Sequence, residues 1–348
     1  MKEKHLFAGV NSPKGFYSCF DEIMKEAPGA RKIYIKGGPG MGKSSLMKKI
    51  IHRATEEGLS SEVFHCSSDP SSVDGVHIPA LETAIIDATA PHNADPALPC
   101  VCGEIFDVSV CASNASLDFH AGDILQLSEC KKKYFQKGYH YLEATVPLLK
   151  QIENEYLENT DVQGIYLEAE KLAKRLLGTW GRKENGTKRK LFLSAITPEG
   201  FVSYADTYFK DTFCIAVKGD YAASLFLKRI ADVLSCAGFS LSLFYCPMQP
   251  DEKIEHIYIP ALRVSLSTYN FYTHVSAAET IDLCELSYLS EGNGESFGLS
   301  GTLMQRAIDA FGKAREAHAG LEDIYIPSMN FEKLDLMVNS LIHSIFTR

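Results

Sequence analysis

The sequence predicts a duplicated α/β protein, in which two three-layer domains each contain a mainly parallel sheet and an appended helical hairpin. Three observations lead to this prediction. Residues 32–54 read as a β-rich strand, a glycine-rich turn and an amphipathic helix. Several short segments recur in the same order about 180 residues later. Each half of the chain also ends in long stretches of helical periodicity.

The first unit is centred on residues 37–44, which read Gly-Gly-Pro-Gly-Met-Gly-Lys-Ser. Residues 32–35, just before it, form a short β-rich segment. After it, apolar residues recur on one face of a predicted helix: Leu46, Met47, Ile50, Ile51 and Ala54. Strand, turn and helix therefore follow one another in the order that an anion-binding helix N-terminus requires.

This stretch has the pattern G-x-x-x-x-G-K-[ST], with Gly37, Gly42, Lys43 and Ser44 at the fixed positions. Glycines let successive backbone N–H groups point at one centre, and the helix N-terminus adds further donors. In this pattern the lysine reaches the β- and γ-phosphates, and the hydroxyl ligates Mg²⁺. We therefore predict a nucleotide-binding segment of consecutive residues: Gly37, Gly38, Pro39, Gly40, Met41, Gly42, Lys43, Ser44 and Ser45.

On these residues the chain resembles the P-loop NTPases of the doubly wound α/β kind. The resemblance implies a nucleoside triphosphate and Mg²⁺ as ligands, but it does not specify the reaction. The sequence contains no Asn-Lys-x-Asp segment to read guanine. ATP is therefore expected rather than GTP.

Two carboxylates are candidates for the same site. Residues 78–87 include an apolar strand that ends in Asp87, and this strand looks like the Walker B strand, whose aspartate holds the Mg²⁺ shell. The alternative is that Asp87 only caps the next turn. Asp69 precedes a proline, and it either lies near Mg²⁺ or the attacked group or shapes an Asp-Pro turn. We predict catalytic roles for Lys43, Asp87 and Asp69, and Mg²⁺ ligation by Ser44 and Asp87.

An internal repeat is visible by eye. Residues 6–16 match residues 191–201, with Leu-Phe at the start and Pro-x-Gly-Phe in the same register. The tetrapeptide Ile-Pro-Ala-Leu also recurs unchanged. We infer a duplicated domain, with one copy in residues 1–180 and the other in residues 187–348. The seam at residues 178–190 is glycine-rich, polar and basic, as expected for a linker or for a basic lid over phosphates.

The second copy lacks the residues of the loop. Residues 217–224 read Val-Lys-Gly-Asp-Tyr-Ala-Ala-Ser, so the Gly-Lys pair is absent and an aspartate would repel phosphate. Thr268 stands where Asp87 stands in the first copy. Loss of both features together is expected if both served one ligand. The tandem pattern resembles an uncharacterised family of bacterial ATP-binding proteins.

Each half is predicted to end in a helical hairpin, formed by residues 131–149 and 152–177 in the first half and by residues 302–318 and 331–346 in the second. These hairpins pack the halves together or form a lid. A degenerate half packed beside an active one can lend a cation across the interface, as an arginine finger does. Three arginines of the second half are the candidate donors: Arg229, Arg263 and Arg306.

Composition narrows the class of protein. The chain of 348 residues is 45% hydrophobic and 23% charged, as expected for a soluble globular protein. It has no apolar run of membrane-spanning length and no signal-peptide core, so a cytoplasmic location is expected. The net charge of −9 disfavours a nucleic-acid-coating role.

The cysteines are expected to be reduced thiols. Cys100 and Cys102, with His92 nearby, form either half of a metal site or an ordinary loop.

Three functions are compatible with these features. The first is a slow ATPase or ATP-dependent switch, because Asp87 is followed by Ala88 where many fast P-loop ATPases have a water-activating glutamate. The second is a small-molecule or nucleotide kinase with an acceptor that the sequence does not name. The third is a nucleotide-sensing scaffold whose second half binds a protein partner.

Overall fold

The structure, a computed structural model, describes residues 3–27, 29–92, 94–99, 101, 103–180, 186–289 and 294–347. The elements of the first half are strands β1 (Glu3–Leu6), β2 (Gly9–Ser12), β3 (Gly15–Ser18), β4 (Arg31–Lys36), β5 (Ser61–His65), β6 (Val73–Ile78), β7 (Thr83–Asp87) and β8 (Gly103–Asp107), and helices α1 (Lys43–Glu56), α2 (Asn114–Phe119), α3 (Ala121–Glu158) and α4 (Val162–Trp180). Those of the second half are strands β9 (Lys188–Leu191), β10 (Ser194–Thr197), β11 (Gly200–Ser203), β12 (Phe213–Lys218), β13 (Leu241–Cys246), β14 (Gln249–Ile259), β15 (Val264–Thr268) and β16 (Glu279–Asp282), and helices α5 (Ala205–Phe209), α6 (Asp220–Cys236), α7 (Gly294–Tyr325) and α8 (Phe331–Phe346).

Each half contributes a six-stranded sheet, and the two sheets have matching strand orders. The first runs β1-β5-β6-β7-β4-β8, and the second runs β9-β13-β14-β15-β12-β16 when read in the same direction. In the first sheet β6 is antiparallel to both neighbours and the other pairs are parallel. In the second sheet β14 takes that place.

The sheets are therefore mixed, and three of the five strand pairs in each are parallel, so the prediction of mainly parallel sheets fails only at β6 and β14. The reason is the length of the connections. Residues 66–72 and 79–82 are the entire links before and after β6, and a parallel neighbour needs a crossover of about a dozen residues or more. Short links of this kind close antiparallel pairs instead.

The outer face of each sheet is covered by one helix of its own half and one helix of the other half. On the first sheet, Leu46 of α1 shares a core with Leu334 of α8. On the second sheet, Phe226 of α6 shares a core with Leu172 of α4. The predicted boundary between residues 180 and 187 therefore separates the sheets but not their helical layers.

The inner faces of the two sheets share a core, which contains Phe64 of β5 and Phe244 of β13 together with residues of the short helix α5. Phe7 and Phe192 are fully buried at this junction, and their backbones exchange two hydrogen bonds of 2.9 and 3.2 Å. One face of each sheet is thus covered by the other half. The predicted three-layer domain has helices on both faces of its sheet. In the structure, the inner face of each sheet packs against the other half instead.

The two longest helices, α3 with 38 residues and α7 with 32, pair with each other across the halves. Their contact is close at Gly138, where an added Cβ atom would lie 2.3 Å from the ring of Phe311. The helices of each half therefore do not form the predicted hairpins: α3 continues through residues 149–152 to Glu158 and pairs with α7, whereas α4 lies on the second sheet and α8 on the first. The helices do pack the halves together, which was one of the two roles predicted for them. Among the helices of the described ranges, none has the length and apolar character needed to cross a membrane.

Candidate functional site

The glycine-rich loop, Gly37–Gly42, joins the buried central strand β4 to α1. Gly40 and Gly42 have φ angles of 66° and 87°, in the left-handed region that side chains with a Cβ rarely adopt. The carbonyl of Gly42 accepts the first helical hydrogen bond, 2.9 Å from the Leu46 nitrogen. The strand, turn and helix predicted from the sequence are all present in this order.

Lys43 is the first residue of α1, and its ammonium folds back over the loop. The Nζ atom lies 2.7 Å from the carbonyl oxygens of both Gly37 and Gly38. It also lies 3.6 Å from Oδ2 of Asp87, and only 13% of each of these two charged side chains is exposed. The structure thus brings together the lysine and the strand-end aspartate that the sequence assigns to one site.

Asp87 ends β7, which is a direct neighbour of β4, with Asp87 paired to Ile35. Its Oδ1 atom accepts a hydrogen bond of 2.8 Å from the Thr89 N–H and another from the Thr89 hydroxyl. Its Oδ2 atom faces Lys43. One oxygen therefore caps the next turn, as one predicted alternative states, and the other faces Lys43, while the Mg²⁺ role stays a prediction.

A buried acid–histidine cluster adjoins Lys43. Ligand atoms of Asp74, Asp87 and His92 lie within 4.8 Å of one another. His92 Nε2 is 3.4 Å from Asp74 Oδ2. Burial alone would raise the pKa of Asp74, but His92, Cys66 and Lys43 outweigh it and lower that pKa. Burial would lower the pKa of His92, but Asp74 and Asp87 outweigh it and raise that pKa, which favours an ion pair.

No motif in the sequence indicates this cluster. His92 was noticed only as a neighbour of Cys100 and Cys102, which lie outside the described residues. Asp74 has an acidic counterpart, Glu255, in the second half, and this similarity points to a role that does not depend on the loop. The closeness of Asp74 and His92 to Lys43 cannot be recognised from the local sequence. Asp74 lies on β6 and His92 follows β7, and these segments come together only when the two strands pair.

The side chains of Ser44 and Asp69 form hydrogen bonds with residues outside the loop. Ser44 Oγ accepts a hydrogen bond of 3.0 Å from the Val73 N–H, so the hydroxyl lies against the start of β6. Asp69 Oδ1 accepts hydrogen bonds from the Ser71 N–H at 3.3 Å and its hydroxyl at 2.8 Å. Asp69 therefore shapes a turn, as one of its predicted alternatives states, and it also lies 3.8 Å from Arg315 of α7.

Of the other predicted loop residues, Met41 is buried and its sulfur accepts a hydrogen bond of 3.0 Å from the Gly38 N–H. Pro39 is partly exposed within the loop, and Ser45 is exposed on the first turn of α1.

The loop is covered by the end of α7 and by α8, both from the second half. A Cβ atom built on Gly38 would lie 3.1 Å from the ring of Tyr325. One built on Gly40 would lie 2.7 Å from Ile326, and one on Gly42 would lie 2.8 Å from a leucine of α8. Only glycines allow this close approach, so the loop and its cover are sterically matched.

Basic groups from three elements converge beside the loop. Lys131 of α3 lies 3.4 Å from Nδ1 of His318 of α7. Burial and the charges of Lys131 and Lys43 lower the pKa of His318 to about 4. Burial and Lys43 lower the pKa of Lys131. Burial is the largest cause of both shifts, and the charge of Lys43 adds to both, so an anion bound near Lys43 would favour the protonated form of each group.

The three arginines predicted as donors across the interface do not lie at the loop. Arg229 pairs with Glu170 on the outer face of the second sheet, and Arg263 donates to the Asp211 carbonyl at 3.2 Å. Arg306 lies nine residues before Arg315 on α7, about 13 Å along the helix. Arg315 of the same helix does reach across the interface, to Asp69 at 3.8 Å, but its nearer partner is Glu199 of its own half at 2.9 Å.

The second half has no loop in the equivalent place. Only Gly219 separates β12 from α6, and Asp220 begins the helix with a φ of 36°. The Asp220 carboxylate accepts a hydrogen bond of 2.8 Å from Tyr156 of α3. Thr268 ends β15 and pairs with Val217, just as Asp87 pairs with Ile35. The structure therefore offers no phosphate cradle between β12 and α6.

Comparison of the chain with protein-family models, with curated proteins and with solved structures found no match. The resemblance of the loop residues to the P-loop NTPases consequently stays a prediction.

Proposed function

We propose that the protein binds Mg·ATP at Gly37–Ser45 and acts as a slow ATPase or an ATP-dependent switch of the P-loop class. The observation that carries the proposal is the arrangement of Lys43 between the glycine-rich loop and Asp87. An ammonium at a helix N-terminus, beside left-handed glycines and a strand-end carboxylate, is the chemistry that a nucleotide phosphate chain with its metal requires.

The residues present fit Mg²⁺ as well as phosphate. The hydroxyl of Ser44 and the carboxylate of Asp87 are hard oxygen donors, which Mg²⁺ prefers, and Asp74 stands next to Asp87. When bound, the ion would neutralise charge on the phosphates. Lys43 would bind the phosphate oxygens, and the Gly40 and Gly42 backbones would orient them. Lys131 would add positive charge from α3.

Slow turnover is proposed because no carboxylate directly follows Asp87 to activate water. A kinase remains the second candidate, and the basic side chains that α3 and α7 place together, Lys131 and His318, support an acceptor site between these helices. A nucleotide-sensing scaffold is the third, supported by the contact of the loop with α7 and α8.

We also propose that the two halves arose by duplication of one P-loop-like domain and that the second copy lost its ligand. The matching strand orders and the equivalent positions of Asp87 and Thr268 support this interpretation. The proposed setting is the cytoplasm, with ATP and an acceptor or protein partner as ligands.

The test is calorimetric titration of Mg·ATP into the wild type, Lys43→Ala and Lys48→Ala, with phosphate release followed in parallel. Lys48 is exposed on the same helix and serves as the matched control. Binding that is lost only in Lys43→Ala, with slow release, supports the proposal. Rapid release would favour an efficient ATPase, and equal titration curves for all three proteins would contradict the site.

A further inference from the structure

The carboxylate of Glu322 is the anionic group that the second half presents to the glycine-rich loop. Glu322 lies in the last turn of α7, and a Cβ atom built on Gly40 would lie 3.3 Å from its Cα atom. Its side chain leaves α7 beside the loop, where Lys43 and the Gly40 N–H both act to lower the pKa of its carboxyl group. In a loop of this kind, these are the two groups that bind phosphate oxygens.

The groups around Glu322 act on the pKa of its carboxyl group in opposite directions. Burial raises the pKa of Glu322 and the neighbouring Asp69 raises it further, whereas Lys43 and the Gly40 N–H lower it. His318 lies 3.8 Å from the carboxylate, one turn earlier on α7. A carboxylate that is repelled by Asp69 and attracted by Lys43 can be exchanged for an anion that the loop binds more strongly.

Lys43 is also satisfied within the protein. Its ammonium has the carbonyls of Gly37 and Gly38 as acceptors at 2.7 Å and Asp87 at 3.6 Å. With the end of α7 packed on Gly40, the loop therefore has its cationic group bound by protein oxygens and its backbone covered by the second half.

The second half contains a similar contact, with α3 in the place of α7. Glu153 near the end of α3 accepts a hydrogen bond of 2.6 Å from Gln249, and Tyr156 donates to Asp220 at the start of α6. Glu322 and Tyr325 have the same spacing as this pair on α3. A helix end seated on the strand–helix junction is thus present in both halves, but only the first junction has a loop that could bind phosphate instead.

We propose that Glu322 is an internal competitor of the nucleotide, and that phosphate binding displaces its carboxylate together with the last turn of α7. This inference rests on the proposed function and adds regulation to the same site. The empty protein is held closed by its second half, and occupancy of the loop is coupled to the position of α7. Since α7 pairs with α3, the displacement reaches the core that joins the halves.

The experiment compares the wild type, Glu322→Gln and Glu316→Gln. Glu316 is exposed on the same helix, so its substitution removes the same charge without touching the loop. The Kd of Mg·ATP is measured by calorimetry, phosphate release is followed, and hydrogen exchange of residues 321–325 is recorded with and without Mg·ATP. We expect Glu322→Gln to bind about fivefold tighter or more, because a larger fraction of the protein has a free loop. Glu316→Gln should stay within about twofold of the wild type, and exchange at the end of α7 should accelerate when nucleotide binds.

Equal Kd values for the wild type and Glu322→Gln would overturn this inference and leave the proposed function standing. Unchanged binding with loss of phosphate release in Glu322→Gln would also overturn it, because Glu322 would then assist the reaction. Protection of residues 321–325 by nucleotide would contradict the displacement. Absence of binding in all three proteins would overturn the proposed function as well, because a loop freed of its carboxylate should bind.

Discussion

The ion pair between Glu62 of β5 and Arg189 of β9 gives a quantitative test of how the halves are joined. One Arg189 Nη lies 2.8 Å from both carboxylate oxygens, and His77 Nδ1 lies 2.9 Å away. Only 12% of the Glu62 side chain is exposed. Burial would raise the pKa of Glu62, but Arg189 and His77 outweigh it and lower it from 4.5 to about 2.

A carboxyl with a depressed pKa stabilises the fold above its unfolded pKa, and this contribution is lost as the pH falls through the folded pKa. At about 1.4 kcal/mol per pH unit, the depression corresponds to about 3 kcal/mol at neutral pH. About 2 kcal/mol of this is lost by pH 3. We therefore expect Glu62→Gln to lower the free energy of unfolding by about 3 kcal/mol at pH 7 and by about 1 kcal/mol at pH 3.

The assay is urea unfolding followed by circular dichroism at both pH values. Glu279→Gln is the control, since Glu279 pairs with Arg175 at 2.8 Å but both side chains are more exposed. The control substitution should lower the free energy of unfolding by less than about 1 kcal/mol. A loss for Glu62→Gln that is the same at pH 7 and pH 3, or no larger than that of the control, would refute the reasoning.

Three further predictions follow from the geometry. The pKa of His318, which burial and two neighbouring lysines lower to about 4, should rise when Mg·ATP brings negative charge, as measured by NMR titration; an unchanged value would place the phosphates elsewhere. Gly138→Ala should destabilise the protein by about 1–3 kcal/mol through its clash with an aromatic ring of α7, whereas Gly312→Ala, with open space, should stabilise it by about 0.5–1 kcal/mol in the same melts. Asp87→Asn should reduce the Mg²⁺ dependence of ATP affinity about tenfold, whereas Asp107→Asn at the neighbouring strand end should leave it unchanged.

The local parts of the site could be predicted from the sequence. The loop and its helix lie within about 25 consecutive residues, and their glycine and lysine positions follow from the backbone requirements of one turn. The comparison of Asp87 with Thr268 also succeeded in placing both at equivalent strand ends. The short links around β6 were a readable signal of antiparallel pairing, which the prediction of mainly parallel sheets overlooked.

The non-local parts could not be predicted in the same way. The apolar face of α8 is suited to cover either sheet, and nothing in its sequence states that it lies on the first. Glu322 and Lys131 reach the loop only because α3 and α7 pair across the halves. The sequence likewise could not show that Arg315, and not Arg306, reaches Asp69 across the interface, since both are charged residues of one long helix.

The central claim is tested most directly by the stoichiometry of Mg·ATP binding to the full chain. The account predicts one nucleotide per chain, with binding abolished by Lys43→Ala and retained by Lys218→Ala, which alters the corresponding strand end of the second half. Two nucleotides per chain, binding that depends on Lys218 rather than Lys43, or no binding at all would contradict it.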